Sequence, residues 1–263
     1  MLAFVFASAI SLALAAVAQA SPPRRVASLN LCTDELLLTL AGPGQILSVT
    51  HLSQQEAETP LWRQAARYPR NDGSLASVAG RRPDLVLTMG GGARDRARIA
   101  ERLGIRILDL PFARSLADVE ANVRTVAGAL GRASAGAPVV ERLRRLRQGV
   151  PARTIEAVWL GGGGRTVAAD GLEAHWMRLA GLRQRSVQGD RISLEQLVAR
   201  PPAVLLRSDY RQGQYSAAQR WLHHPLAGGT GRSRNVATDG RPWTCMGPPM
   251  IDEVLRLRSE LGA

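Results

Sequence analysis

The chain has 263 residues, enough for two medium domains or one large one with a buried core. Its 45% hydrophobic and 21% charged residues are those of an ordinary globular protein. The net charge of +12 comes from arginine alone, as no lysine occurs, and a high-GC genome produces that bias as readily as an anionic partner does. The basic residues are spread along the chain, and the one cluster, Arg142, Arg144, Arg145 and Arg147, alternates with Leu143 and Leu146 as on the solvated face of a helix. No basic stretch is interleaved with aromatics, which excludes a nucleic-acid platform.

Residues 1–20 carry no charge, run through Leu2, Phe4, Phe6, Ile10, Leu12 and Leu14, and end in Ala18-Gln19-Ala20. A short apolar core before an A-x-A site reads as a cleaved signal peptide, against the rival reading of an uncleaved anchor. The segment lacks a basic start. No later stretch is long and apolar enough to span a bilayer, so the mature chain is expected outside the cytoplasm. Two cysteines remain there, Cys32 and Cys245, either as one disulfide or as two separate buried thiols.

From Arg25 the apolar run to Leu29 predicts a buried strand. A helix follows, capped by Asn30 or Thr33 with Asp34 and Glu35 in its first turn. Ala41-Gly42-Pro43-Gly44 stops it, and Ile46–Thr50 predicts a second strand. His51 to Asp72 reads as loop. A short helix at 74–80, a strand at 84–87, the loop Gly90-Gly91-Gly92, a helix at 94–103 and a strand at 105–108 come next. This alternation predicts a parallel sheet covered by helices. Residues 115–149 read as helical, with apolar residues at three- and four-residue steps and a weak spot from Gly131 to Pro138. The second half opens with a strand at 155–160, the run Gly161–Gly164 and a helix at 173–179. It then repeats the first half: Ser74-Leu75, Arg81, Pro83 and Leu87 match Ser193-Leu194, Arg200, Pro202 and Leu206. Two similar lobes follow from that repeat, with a site beyond the carboxyl ends of their strands.

These stretches resemble the periplasmic solute-binding proteins that feed iron–siderophores, haem and vitamin B12 to ABC importers. Arg25–Glu35 resembles the family's opening strand and helix start, and Ser74–Leu87 its most recognisable stretch. Gly90–Leu108, the helix from 115, Ser193–Leu197 and the final helix from Pro249 continue the match over nearly the whole mature chain. The resemblance implies an α/β fold of two lobes, each a mainly parallel sheet flanked by helices, joined by a long backbone helix. The expected division is 21–114 for the N-terminal lobe, 115–149 for the connecting helix and 150–263 for the C-terminal lobe. It also implies a glutamate on each lobe that docks the importer. Glu195 matches the C-lobe glutamate, whereas Ala76 stands at the N-lobe position.

Loops at strand ends supply the candidate ligand contacts. Asn30, Leu31 and Cys32 follow the first strand, where capping alone also accounts for them, and His51 follows the second, as ligand contact or simple surface. Met89, Gly90 and Gly91 stand at the mouth of one lobe, and Gly163 with Arg165 at the other. Glycine lets backbone N–H groups approach an acceptor, but no nucleotide-binding context accompanies either run. Arg241 and Trp243 lie in the turn-rich stretch Arg241–Pro248 with Cys245 and Met246; a flat ring there stacks on a macrocycle or siderophore, or packs structurally. The resulting expectation is a periplasmic, monomeric binding protein with no resident cofactor. It takes a metal chelate or corrinoid between its lobes and hands it to an ABC importer permease dimer. The alternatives are a zinc or manganese binder, for which His51, His175, His223 and His224 form no clear ligand set, and a secreted enzyme, for which no nucleophile elbow or H-E-x-x-H helix occurs.

Overall fold

A computed structural model describes residues 21–91, 94–211, 213–214, 216–229 and 231–262. The signal-peptide reading of residues 1–20, and Gly92 of the first glycine run, lie outside the described residues. The N-terminal half alternates β1 (Val26–Ser28), α1 (Leu31–Leu40), β2 (Ile46–Thr50), α2 (Trp62–Ala65), β3 (Arg70–Asn71), α3 (Leu75–Ala79), β4 (Leu85–Met89), α4 (Arg94–Arg102) and β5 (Arg106–Leu110). Helices α5 (Leu116–Ala129) and α6 (Ala133–Gln148) follow. The C-terminal half holds β6 (Ile155–Leu160), α7 (Leu172–Leu179), β7 (Leu182–Gln184), α8 (Leu194–Ala199), β8 (Val204–Ser208), α9 (Ala217–Leu222), β9 (Arg234–Thr238), α10 (Pro242–Cys245) and α11 (Met250–Leu261).

The strands form two sheets, ordered β3-β2-β1-β4-β5 and β7-β6-β8-β9, and every named strand pairs parallel to its neighbours. Parallel strands covered on both faces need apolar residues at successive positions. Leu85, Val86 and Leu87 of β4 and Val204, Leu205 and Leu206 of β8 meet that need and are all buried. The two strands hold matching places inside their sheets, as the repeat in the sequence requires. Each is entered through a short helix with a serine cap, where Ser74 Oγ accepts from Ser77 N and Ser193 Oγ from Gln196 N, and then a buried proline, Pro83 or Pro202.

The segment 115–149 holds two helices packed on each other rather than one. The break falls at Gly131, whose φ of 66° is left-handed, within the weak stretch of the sequence. The pair serves both cores. Val123, Val126, Leu130 and Val140 enter the N-terminal core, while Val119, Leu143 and Leu146 enter the C-terminal one. The loop from His51 to Asp72 contains α2 and β3, which the sequence reading missed because two- and four-residue elements carry no measurable period.

Candidate functional site

Three groups of contacts bring the lobes together. At the first, Cys32 in the first turn of α1 is disulfide-bonded to Cys245 at the end of α10, with Cα atoms 5.1 Å apart and a sequence separation of 213. At the second, Glu58, only 4% exposed, accepts from Tyr210 Oη at 2.8 Å and from the Arg211 guanidinium at 2.7 Å. At the third, Arg241 donates to the Glu56 carbonyl at 3.0 Å while its other nitrogens hold Asp239. Tyr210 and Arg211 follow β8, and Arg241 follows β9, so the strand ends of one sheet meet the loop after β2 of the other.

Behind the disulfide lie two buried acids on α1. Asp34 accepts from the backbone N–H of Thr50 at 3.1 Å and from its hydroxyl, which ties the helix to the end of β2. Glu35 accepts from the Thr59 hydroxyl at 2.7 Å, and its Oε2 has no hydrogen-bond partner among the described residues. Burial pushes the Asp34 carboxyl up to about 7 and the Glu35 carboxyl up to about 8, against the opposing pull of the threonine hydrogen bonds. Asp34 and Asp239 raise Glu35 further by like-charge repulsion.

Two cavities open beside these ties. One, of about 220 Å³, is walled from the N-terminal lobe by Cys32, Met89, Phe112 and Asn122 and from the C-terminal lobe by Thr244–Pro248. The other, of about 380 Å³, lies at the C-terminal lobe among Trp159, Gly161, Arg165, Tyr210, Gln214 and Trp243. Thr244 lines both. Trp159 and Trp243 tilt against each other at 55° with ring centroids 6.1 Å apart, within the range of favourable aromatic pairs.

Of the candidates from the sequence, Cys32, Met89, Arg165 and Trp243 line the two cavities, and the others have different tasks. Asn30 caps α1, its Oδ1 accepting from Cys32 N at 2.9 Å, and Leu31 is buried. Cys32 and Met89 line the smaller cavity. Gly90 and Gly91, both left-handed, line a neighbouring hollow with Phe112 and Arg114. His51 is exposed and lines none of these cavities. Gly163 accepts from Arg191 and leaves the lining to Gly161 and Gly162. Arg165 lines the larger cavity. Trp243 is 6% exposed and donates from Nε1 to Thr238 at 2.7 Å, so Trp159 is the half-buried ring of the pair. Glu195 is exposed in the first turn of α8, where Ser193 holds its carboxyl below the ordinary range. Ala76 is exposed at the matching place on α3.

Phe112, Tyr210, Arg211 and Glu58 were missed. Phe112 and Tyr210 each stand two residues past a strand end, the same signal that picked out His51 and Met89, and Phe112 is one of only three phenylalanines. Glu58 gave no signal, because its partners are more than 150 residues away. Among the described residues no group of three or more His, Cys, Asp and Glu is placed to hold a metal ion, and no helix is long and apolar enough to cross a membrane.

A family model described as periplasmic binding protein matches residues 26–231. No curated protein sequence is similar enough to match. Among solved structures, a periplasmic heme binding protein from Pseudomonas aeruginosa has 20% identity and a TM-score of 0.67, over 90% of this chain and 92% of that one. The vitamin B12 binding protein BtuF of Vibrio cholerae has 17% identity and a TM-score of 0.63, over 92% and 97%. The siderophore binding protein BauB, bound to acinetobactin and ferric iron, has 14% identity and a TM-score of 0.69, over 90% and 93%. At such identities these structures share the fold. The family match covers both sheets up to the turn before β9, and on that match, with two parallel sheets facing one cleft, the chain belongs to the periplasmic binding protein family.

Proposed function

We propose that the protein is a periplasmic carrier that captures a metal chelate or corrinoid between its lobes and delivers it to an ABC importer. The observation that carries this reading is the cleft itself. Loops at the strand ends of both sheets line it with a thioether, aromatic rings and an arginine, groups that suit a large ligand with a flat or apolar part. On this reading residues 1–20 are removed on export, residues 21–114 and 150–263 form the lobes, and the segment 115–149 joins them. The carrier works as a monomer, and Glu195 meets the permease.

The α5–α6 pair supports small closure on ligand, since its side chains are part of both cores and a large hinge motion would strip one of them. Titration with haem, cobalamin and a ferric siderophore, read by quenching of tryptophan fluorescence, tests the proposal. Trp159 and Trp243 stand at the cleft, so one ligand is expected to quench with micromolar or tighter affinity. Failure of all three to bind at micromolar concentration refutes the reading.

A further inference from the structure

The two cavities that meet at Thr244 differ in chemistry. In the smaller, the walls are the Cys32–Cys245 disulfide, Leu36, Met89, Phe112, Val119 and Met246, with Asn122 turned to the Pro111 carbonyl at 3.1 Å. Phe112 is 61% exposed, more than any other large hydrophobic side chain described, and its ring covers Gly90, where an added Cβ would meet it at 2.2 Å. The ring thus stands over a glycine at the edge of an apolar cavity, largely in water. The larger cavity is lined by Arg165, Gln214, Tyr210 and Arg211. Arg211 is neutralised by Glu58, whereas Arg165 forms no ion pair among the described residues. Glu173 lines the same cavity. Arg211 and Met246, one beside each cavity, are both left-handed, with φ of 55° and 51°. Such strain in a side-chain-bearing residue persists where the surrounding structure requires it.

Resting on the carrier reading above, we infer that the cleft is a two-part seat for an amphipathic flat chelate, with Phe112 and Arg165 as its specificity-determining residues. The apolar edge of the ligand enters between Phe112 and the disulfide, and a carboxylate on the opposite edge pairs with Arg165. A tetrapyrrole with apolar substituents on one edge and carboxylates on the other has this shape. A corrinoid rimmed with amides on all sides does not.

Ferric protoporphyrin IX, its dimethyl ester, cyanocobalamin and a ferric siderophore are the probes, titrated against the full mature chain and read by tryptophan quenching and ligand absorbance. Phe112→Ala is expected to weaken both porphyrins alike, by about tenfold. Arg165→Gln is expected to weaken the free acid by about tenfold and leave the ester unchanged. Glu173→Gln is expected to tighten the free acid, because a like charge beside the carboxylate is removed. Phe112 and Arg165 are exposed, so thermal unfolding of those variants should match the parent within a few degrees. Binding of cyanocobalamin or a siderophore in preference to porphyrin overturns this inference while leaving the carrier reading in place. So does porphyrin binding that Phe112→Ala and Arg165→Gln leave unchanged. Loss of all three ligand classes instead refutes the carrier reading itself.

Discussion

Glu35 shows how a single residue couples the inter-lobe contact to pH. A buried carboxyl whose value rises from its ordinary 4.5 to about 8 stays protonated in the folded chain where the unfolded chain has released its proton. Below about pH 4.5 both states are protonated and the group has no effect on stability; above about pH 8 both are ionised and the full penalty for burying the charge is present. Stability therefore falls as pH rises between those limits, by an amount on the order of several kcal/mol. Asp34, raised to about 7, acts in the same direction over a lower range. The expected outcome is a lower unfolding midpoint at pH 8 than at pH 5 in thermal melts. Glu35→Gln, which keeps an acceptor for Thr59 without the titrating proton, should shrink that difference. An unchanged pH dependence in the variant would show that Glu35 titrates normally.

At the scale of elements, the turn between α5 and α6 depends on Gly131. Its left-handed φ of 66° alone costs a side-chain-bearing residue about 1 kcal/mol, and an added Cβ would stand 2.7 Å from Pro22. Gly44 is the natural control, since it is equally left-handed, at φ 78°, with nothing within 4 Å of an added Cβ. Gly44→Ala is expected to destabilise by about 1 kcal/mol and Gly131→Ala by clearly more, as read from urea midpoints. Equal losses would mean that Pro22 and its neighbours move aside freely. The same turn falls at the start of the weak stretch from Gly131 to Pro138 in the helical pattern of 115–149. Both helices present apolar residues at helical spacing, and only one left-handed glycine and the cores on either side separate them.

For the whole molecule, the Cys32–Cys245 bond closes a loop of most of the chain. Closing a long loop restricts the unfolded state most, so the bond should contribute about 2–4 kcal/mol. Denatured, unreduced protein is expected to show no thiol reactive to a maleimide or disulfide reagent. Cys32→Ser with Cys245→Ser should lower the denaturant midpoint accordingly. Two reactive thiols before reduction would remove the covalent tie between the lobes. The other ties are weaker singly but meet in one place: Glu58 is nearly buried, and Glu58→Ala would leave Tyr210 and Arg211 without their carboxylate. That variant should change ligand affinity with little effect on either core, measurable by the same fluorescence titration.

Much of the fold was legible from residue order alone. Runs such as Leu85-Val86-Leu87 report strands buried on both faces, serine caps and prolines mark where helices stop and strands begin, and the second copy around Pro202 reveals the second lobe. Such signals are local, and each depends on the dihedral preferences and burial of a few neighbours. The meeting of the two lobes was not legible in the same way. Cys32 and Cys245 were named as a pair without any measure of their distance, and Glu58 carried no mark of Tyr210 and Arg211 152 and 153 residues away. Which side chains face a common cavity depends on how two sheets are held against each other by α5 and α6, and no local pattern encodes that angle. The sequence by itself determined two parallel α/β lobes; only the tertiary structure decided that Phe112 and the disulfide border one cavity and Arg165 a second, with Thr244 lining both.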